Sequence, residues 1–377
     1  MCIRDSVRVA LHLERSVGNL LAMTKYLLPL LVAVSVLVSG CGSGDRLQID
    51  GLAAEINSDE CVDGTDAEVT IYSGRKENLI EPVLSAFRCA TGINVEVRWG
   101  SSSQLALLID EEGDRSPADV FLSQSPGPVG FLESKGLLGT ISGDILGLVS
   151  EQNRSAKGNW VGFSGRKRVL VYNVDLVAED ELPASIFELT DEKWNGKIAI
   201  PGTNGSFMDW FTVFRDQYGT DVATKWLNDM VANGARYYPN NRSIVEAAGR
   251  GEIEMGLVNH YYNYQEVIAA GDDHRAKNHD LDDDDIGSLL IITAATVLDS
   301  AENSDEANEL LTYLLSVPVQ SYFTNQTLEY PLAAGVEPNA ALPRLTALQI
   351  GSVDFDALGG GFDETARIIE TSGIQNQ

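Results

Sequence analysis

The spacing of apolar residues in the first third of the chain predicts alternating strands and helices. Residues 69–72 are β-branched or aromatic and predict a strand, and residues 77–90 carry apolar side chains at helical spacing. Further strands are predicted at 93–97 and 118–122, with a helix at 103–112 between them. This order is typical of a mostly parallel sheet with helices on both faces, so the predicted fold class is α/β.

The same alternation continues to the end of the chain. Strands are predicted at 169–172, 198–200, 253–258 and 289–294, and helices at 206–218, 220–233, 241–248, 263–270, 304–315 and 317–325. The strand at 289–294 is expected to return to the first lobe. We therefore predict two lobes joined by a hinge: an N-lobe of residues 67–165 with 287–377, which includes the closing helices, and a C-lobe of residues 166–286. Ligands of such proteins lie between the domains and induce closure.

The first 40 residues are not expected to be part of the folded protein. Residues 26–38 form a short apolar run after Lys25, and small residues lead from this run to Cys41. The segment resembles a bacterial lipoprotein signal, so we interpret residues 1–40 as an upstream extension and signal peptide with translation starting at Met23. Cys41 is then the lipidated residue and 41–66 a tether. An uncleaved anchor is the alternative, but the run is short for a membrane span of about 20 residues.

The charge and the cysteine content indicate the compartment of the protein and the classes of partner it can bind. The 377 residues include 55 acidic and 27 basic ones, for a formal net charge of −28 at pH 7. Such a surface repels nucleic acid and anionic membranes, so we expect no nucleic-acid partner and membrane attachment through the lipid alone. Cys61 and Cys89 follow the export signal, and an oxidising compartment favours a disulfide between them; two free buried thiols are the alternative.

The pair Tyr261-Tyr262 is the strongest chemical signal in the sequence. It follows the predicted strand 253–258, and open α/β sheets bind ligands at the carboxyl ends of their strands. Phenolate oxygens are hard donors that suit a hard cation. Because the reference pKa of tyrosine is near 10, holding one phenolate at pH 7 costs about 4 kcal/mol. A strong Lewis acid such as ferric iron offsets that cost, whereas the alternative is that both rings pack against the hinge or an organic ligand.

Several motifs in a fixed order resemble one protein family. They are residues 69–75, 111–120 and 168–173, together with Trp194-Asn195-Gly196-Lys197, Asn259-His260-Tyr261-Tyr262 and Glu329-Tyr330-Pro331-Leu332. Over residues 67–375 the chain resembles the ferric-iron-binding, periplasmic solute-binding proteins of bacterial ABC transporters, a transferrin-like bilobal class. The resemblance implies a type II periplasmic-binding-protein fold, a monomer, and an ABC permease with its ATPase subunit as partners.

The resemblance also implies a set of metal ligands. Tyr261 and Tyr262 match the family's twin tyrosines as ligands of Fe(III). Lys76 stands where many relatives have a ligating histidine, Gln124 stands where many have a carboxylate, and residues 204–207 lack the third tyrosine of some members. A synergistic anion, carbonate or phosphate, is implied to complete the coordination shell.

The residues expected around this anion come from several segments. The anion-binding set is Arg75, Lys76, Asn204, Gly205, Ser206, Asn241 and Asn259, and the expected supporting residues are Gln124, Ser125 and Arg166. Backbone N–H groups at a helix start favour an anion, and an arginine fork binds carbonate bidentately. The alternatives are a salt bridge for Arg75 and helix capping for the three asparagines. His260 is expected to point away from the cleft because it neighbours Tyr261 on an extended segment.

These observations together predict a lipid-tethered receptor at the periplasmic or outer face of a membrane. It captures ferric iron with an anion and delivers it to a permease. The same fold binding a small organic solute, a polyamine or an oxyanion is the alternative. No Gly-x-Ser-x-Gly elbow, P-loop or nucleotide fingerprint is present, so no enzyme is predicted.

Overall fold

The computed structural model describes residues 61–343, residue 345 and residues 361–377. The predicted signal peptide, Cys41 and nearly all of the tether lie outside the described residues. Within the described ranges, no helix is both long and apolar enough to cross a membrane. The predicted disulfide is present and joins Cys61 to Cys89, which ties the segment before the first strand to the first helix.

The first part of the described chain alternates strands and helices as the sequence predicts. Its elements are β1 (Glu68–Ser73), α1 (Glu77–Thr91), β2 (Asn94–Trp99), α2 (Ser102–Glu112), β3 (Val120–Ser123), α3 (Pro126–Ser134) and α4 (Gly143–Leu146). β1 lies between β2 and β3 and is parallel to both. The apolar face of α1 is buried, and the helix ends where Gly92 takes a φ of 73°, a left-handed conformation that glycine adopts without strain.

The second part adds a longer set of elements. They are β4 (Val161–Asn173), β5 (Ile198–Ile200), α5 (Gly205–Tyr218), α6 (Thr220–Ala232), β6 (Arg236–Tyr237), α7 (Asn241–Gly249), β7 (Met255–Asn259), α8 (His260–Ala270), β8 (Ala276–His279), β9 (Leu290–Val297), α9 (Ser304–Leu314), α10 (Val317–Asn325), β10 (Tyr330–Pro331) and α11 (Phe362–Ser372). All the predicted helices are found, and α8 begins three residues earlier than predicted.

Strand β4 belongs to two sheets at once. Its first half pairs antiparallel with β9, and its second half, from Arg168 onward, pairs antiparallel with β7. The strand order is β2-β1-β3-β9-β4-β7-β5-β6, with β8 and β10 also paired to β4. β9 lies between β3 and β4, which is the return to the first sheet that the sequence predicts.

Only residues 169–172 of β4 are predicted from the sequence, although the strand has thirteen residues and all are buried. Its middle carries three consecutive charged residues, so no apolar pattern marks it. The predicted lobe boundary at residue 166 lies close to the point where β4 changes partner. That boundary and the one at 286 stay predictions.

Two clusters of buried apolar side chains support the fold. One contains α1, α9, α10 and the strands next to them, and the other contains α5, α6, α7, β5 and β7. β7 ends at Asn259 and α8 begins at the following residue. Tyr261 and Tyr262 therefore lie in the first turn of a helix, at the carboxyl end of a strand, where the α/β fold places ligands.

Candidate functional site

Tyr261 and Tyr262 lie side by side in the first turn of α8. Their ring centroids are 4.3 Å apart and the ring planes are inclined by 28°. Both side chains are buried, with 1% of Tyr261 and 6% of Tyr262 exposed. Helical neighbours ordinarily point about 100° apart. The stacked arrangement therefore brings two phenol groups into one place, as a shared ligand requires.

The two tyrosines line a cavity of about 280 Å³. Its other lining residues are Lys76, Asn78, Leu79, Arg242 and Gln265. The ammonium of Lys76 lies 5.5 Å from the centroid of the Tyr262 ring, within the range of a cation–π contact. Lys76 is exposed, so the site has a cationic group on its solvent side. Of the predicted site residues, the structure brings Lys76, Tyr261 and Tyr262 together around this cavity.

The surroundings of Tyr261 oppose its ionisation. Burial raises the pKa of Tyr261 well above 10, and the nearby Tyr262 and Glu329 raise it further. The guanidinium of Arg166 acts in the opposite direction and lowers this pKa. A phenolate here accordingly costs more than the roughly 4 kcal/mol that applies in water at pH 7. Positive charge placed beside the Tyr261 oxygen would offset this cost.

Four of the residues predicted to bind an anion form one hydrogen-bonded network. Asn204 begins α5 as its N-cap and accepts hydrogen bonds from the Ser206 backbone (3.1 Å) and the Asn241 side chain (3.1 Å). Asn259 donates through Nδ2 to Ser206 Oγ (3.2 Å). The capping alternative therefore applies to Asn204, whereas α7 is capped by Asn240. Gly205 is exposed beside this network at the first position of α5.

Arg168 is at the centre of this network, although the sequence analysis did not single it out. It donates through Nη1 to Asn241 Oδ1 (3.2 Å) and through Nη2 to the Ser206 carbonyl (2.6 Å). Burial, together with the charge of the nearby Arg166, lowers the pKa of Arg168 to about 9. The available signal was its place two positions from Arg166, directly before the predicted strand 169–172, because alternate residues of a strand share a face.

Arg166 is fully buried on the same face of β4 as Arg168. Its Nη2 donates to the Gln124 carbonyl, while its Nε and Nη1 have no hydrogen-bond partner among the described residues. The side-chain Oε1 of Gln124 and the Nε of Arg168 are also unpaired there. Unpaired buried donors are rare and require an explanation. Three guanidinium nitrogens of Arg166 and Arg168 are thus unpaired among the described residues.

Asp209 on α5 is a second missed residue near these arginines. Burial raises the pKa of Asp209 to about 7, although a hydrogen bond with Ser125 and the charges of Arg166 and Arg168 favour the ionised form. Ser125, a predicted supporting residue, is buried at the start of α3. Its place beside Asp209 links the N-terminus of α3 to the arginine cluster.

The structure gives Arg75 a different role from the predicted one. Its Nη1 donates to Glu329 Oε1 (3.0 Å) and its Nη2 forms an ion pair with Glu329 Oε2. Both terminal nitrogens of Arg75 are thus already bound by a carboxylate. This contact corrects the expectation that Arg75 binds carbonate as a bidentate fork and agrees with the salt-bridge alternative.

His260 is buried and bound to backbone on both sides. Its Nδ1 lies 3.0 Å from the Lys167 N–H and its Nε2 lies 2.8 Å from the Leu328 carbonyl. Burial lowers the pKa of His260 to about 4, so the ring is neutral at neutral pH. His260 does not line the cavity, in agreement with the expectation that it points away from the cleft. It lies at the start of a helix, however, and not on the expected extended segment.

The described residues contain no group of three or more His, Cys, Asp or Glu side chains that could hold a metal ion. The stacked phenols are the oxygen donors that the cavity offers, together with neutral amide groups.

Comparisons with known proteins identify the family of this chain. The profile of the bacterial extracellular solute-binding protein family matches residues 115–355. A "Major ferric iron-binding protein" of Neisseria meningitidis is 30% identical over 313 residues, which cover 82% of this chain and 94% of that protein. The chain belongs to the family of bacterial extracellular solute-binding proteins that includes the ferric-iron-binding proteins.

Solved structures give the same result. Iron-bound HitA of Pseudomonas aeruginosa superposes with a TM-score of 0.76 at 32% identity, covering 81% of this chain and 99% of HitA. The Trichodesmium protein IdiA (FutA), solved in complex with iron and citrate ligands, has a TM-score of 0.71 at 26% identity, with 81% and 99% covered. These matches confirm the two-lobed, type II periplasmic-binding-protein fold.

Proposed function

We propose that this protein binds ferric iron through the phenolates of Tyr261 and Tyr262 and carries it to a membrane permease. The observation that carries the proposal is the stacking of two buried phenols, 4.3 Å apart, on one cavity. Ionising both phenols in this buried place is unfavourable unless a strong Lewis acid is bound. The names of the relatives in Neisseria, Serratia and Synechocystis, which refer to ferric iron binding or iron uptake, support the same ligand.

An anion completes the coordination shell in this proposal. Two phenolates supply two of the six ligands that ferric iron usually takes, and the cavity wall supplies no carboxylate. Arg166, Arg168 and Gly205 are not among the residues that line the cavity. The unpaired N–H groups of the two arginines and the start of α5 at Gly205 are nevertheless suited to carbonate or phosphate. Lys76 and Arg242 line the same cavity and add positive charge. Citrate is a third anion to test, because the Trichodesmium structure contains it.

The delivery route is also part of the proposal. The predicted lipoprotein signal places the protein outside the cytoplasm, tethered through Cys41, and the family supplies cargo to ABC permeases. Closure of the lobes around the metal removes water and strengthens each charge interaction in the site. Loss of the anion or reduction to ferrous iron weakens the phenolate bonds and allows release.

The direct test is a titration of metal-free protein with ferric iron in the presence of carbonate, phosphate or citrate. We expect one iron per chain and a visible phenolate-to-iron charge-transfer band with at least one of these anions. The band should disappear in the Tyr261→Phe/Tyr262→Phe double variant. Tyr218→Phe, at the far end of α5 and partly exposed, is the matched control and should keep the band. Stoichiometric iron without this band, or binding of a polyamine in its place, would refute the phenolate site.

A further inference from the structure

His260 joins three segments of the chain that are far apart in sequence. Its Nδ1 lies 3.0 Å from the backbone nitrogen of Lys167 in β4, and its Nε2 lies 2.8 Å from the carbonyl of Leu328, just before β10. The Lys167 N–H can only donate, so Nδ1 is the acceptor. The ring proton is therefore on Nε2 and is donated to the Leu328 carbonyl, which can only accept.

Leu328 has an unusual backbone conformation. Its φ is 57°, and it is the one non-glycine residue with a positive φ within the ranges that the structure describes. The left-handed conformation is unfavourable for a residue with a side chain, and it persists only where the surroundings impose it. The Leu328 side chain is buried, and its carbonyl is bound by His260. The hydrogen bond from His260 is thus one of the contacts that impose this conformation.

The conformation of Leu328 determines where the next residue points. Glu329 donates its backbone N–H to the Phe323 carbonyl (3.0 Å), and its carboxylate binds Arg75. Arg75 immediately precedes Lys76, whose ammonium faces the Tyr262 ring. A continuous set of contacts therefore runs from the first residue of α8, through Leu328 and Glu329, to the loop that forms the other wall of the cavity.

We propose that His260 is a positioning residue for iron binding, because its bond to Leu328 fixes the tyrosine-bearing turn of α8 relative to the loop of Arg75 and Lys76. This inference rests on the proposed function and adds a residue that touches neither the metal nor the cavity. Without the bond, the tyrosines keep their chemistry but lose their fixed position relative to the opposite wall. A misplacement of about 1 Å is enough to weaken a metal site of defined geometry.

Two substitutions separate the two bonds of the ring. In His260→Asn, the side-chain oxygen still accepts from the Lys167 N–H, but the side chain is too short to reach Leu328. In His260→Gln, the amide nitrogen extends toward the Leu328 carbonyl and restores that bond. His279→Asn is the control, because His279 also makes a 2.8 Å bond from Nε2 to a carbonyl, that of Pro183, in β8.

The readouts are the dissociation constant for ferric iron, the position of the charge-transfer band, and the rise in melting temperature on adding iron. We expect His260→Asn to bind iron at least about tenfold more weakly, which is about 1.4 kcal/mol. Its band should shift and its iron-induced rise in melting temperature should be smaller. His260→Gln should recover most of the affinity, and His279→Asn should match the wild type.

The outcomes distinguish this inference from the function on which it rests. If the wild type shows no ferric band, the proposed function fails and this inference fails with it. If the wild type binds iron and His260→Asn binds equally well with the same band, only the inference is overturned. If His260→Asn lowers the melting temperature equally with and without iron, His260 has only a structural role, and the inference is also overturned.

A measurement on the wild type keeps the test decisive if His260→Asn does not fold. Iron binding should slow amide hydrogen exchange at Glu329, whose N–H reports the conformation of the segment bound by His260. Unchanged exchange at this amide on saturation with iron would overturn the inference.

Discussion

The guanidinium of Arg75 and the carboxylate of Glu329 form an ion pair in which neither side chain is exposed to solvent. The two residues are 254 positions apart in the sequence. The Arg75 guanidinium also lies 5.2 Å from the Phe323 ring centroid and 5.7 Å from that of Phe163. The pair joins the loop after β1 to the segment before β10, and so it connects two segments that are distant in the sequence.

Removing one partner of this ion pair should destabilise the protein strongly. We expect Glu329→Leu to lower the free energy of unfolding by about 3–5 kcal/mol, because it leaves the Arg75 charge buried and uncompensated. The double variant Arg75→Met/Glu329→Leu should be more stable than Glu329→Leu alone, since it removes both charges. Urea unfolding of the metal-free protein measures both effects. If the double variant loses as much unfolding free energy as Arg75→Met and Glu329→Leu lose together when measured singly, the two residues do not interact.

The anion is expected to bind through Arg166. Replacing Arg166 by Gln removes a buried charge and its unpaired N–H groups, and a hydrogen bond to a charged group contributes about 1.5–3 kcal/mol. We therefore expect ferric iron to bind about 10- to 100-fold more weakly in carbonate. Arg250→Gln, which removes an exposed arginine paired with Glu252, is the matched control and should have no effect.

The same comparison in different anions tests the role of Arg166. If Arg166 acts on the bound anion, the loss of affinity should differ between carbonate, phosphate and citrate. An equal loss in all three would indicate that its guanidinium acts on the Tyr261 phenolate directly.

Asp209 should give the metal-free protein a distinctive pH dependence. Its pKa is raised by burial from 3.8 to about 7, so between these pH values the folded state holds a proton that the unfolded state has released. The stability contributed by this proton is fully present below the unfolded pKa and is lost as the pH rises through about 7. The expected slope is a fall of up to about 1.4 kcal/mol per pH unit in this window.

The variant Asp209→Asn isolates this contribution. From pH 4 to pH 7 the wild type should lose unfolding free energy relative to Asp209→Asn, so the variant becomes the more stable of the two by a growing margin. Urea unfolding at several pH values measures it, and Asp216→Asn, at an exposed position further along α5, provides the control. Parallel pH profiles for wild type and Asp209→Asn would show that Asp209 is already ionised in the folded protein.

The disulfide should contribute measurably to stability. Cys61 and Cys89 are 28 positions apart, and closing a loop of this length in the unfolded chain stabilises the fold by about 3–4 kcal/mol. We expect the Cys61→Ser/Cys89→Ser variant to have a free energy of unfolding lower by that amount, measured by urea unfolding. Iron affinity should stay within a few-fold of the wild type, because the bridge does not line the cavity. A reducing agent should reproduce the effect in the wild type and leave the double variant unchanged.

The sequence was sufficient to predict the tyrosine pair and its place in the fold. Hydrophobic periodicity marked the strand before it and the helix after it, and both are local signals. The start of α8 was predicted three residues late, because Asn259 does not cap the helix through its side chain. That side chain binds Ser206 on another element, a tertiary contact that no local pattern contains.

The charged residues behind the site could be predicted only in part. Arg166 was expected near the anion, whereas Arg168, Asp209 and Glu329 were not expected there. Buried charges are stabilised by partners distant in the sequence, as Glu329 is by Arg75, and a single sequence does not show such pairs. The three charged residues in the middle of β4 also interrupt its apolar run, which explains why its first half was missed.

The position of these charges on β4 makes the strand intolerant of any change in its length. Arg166 and Arg168 face the site, while the side chain between them, Lys167, forms an ion pair with Asp280 on the opposite face. Because a strand alternates its faces with every residue, deleting one residue upstream of Arg166 exchanges the two sides. The ammonium of Lys167 would then take the place of the Arg166 and Arg168 guanidiniums on the face near the tyrosines.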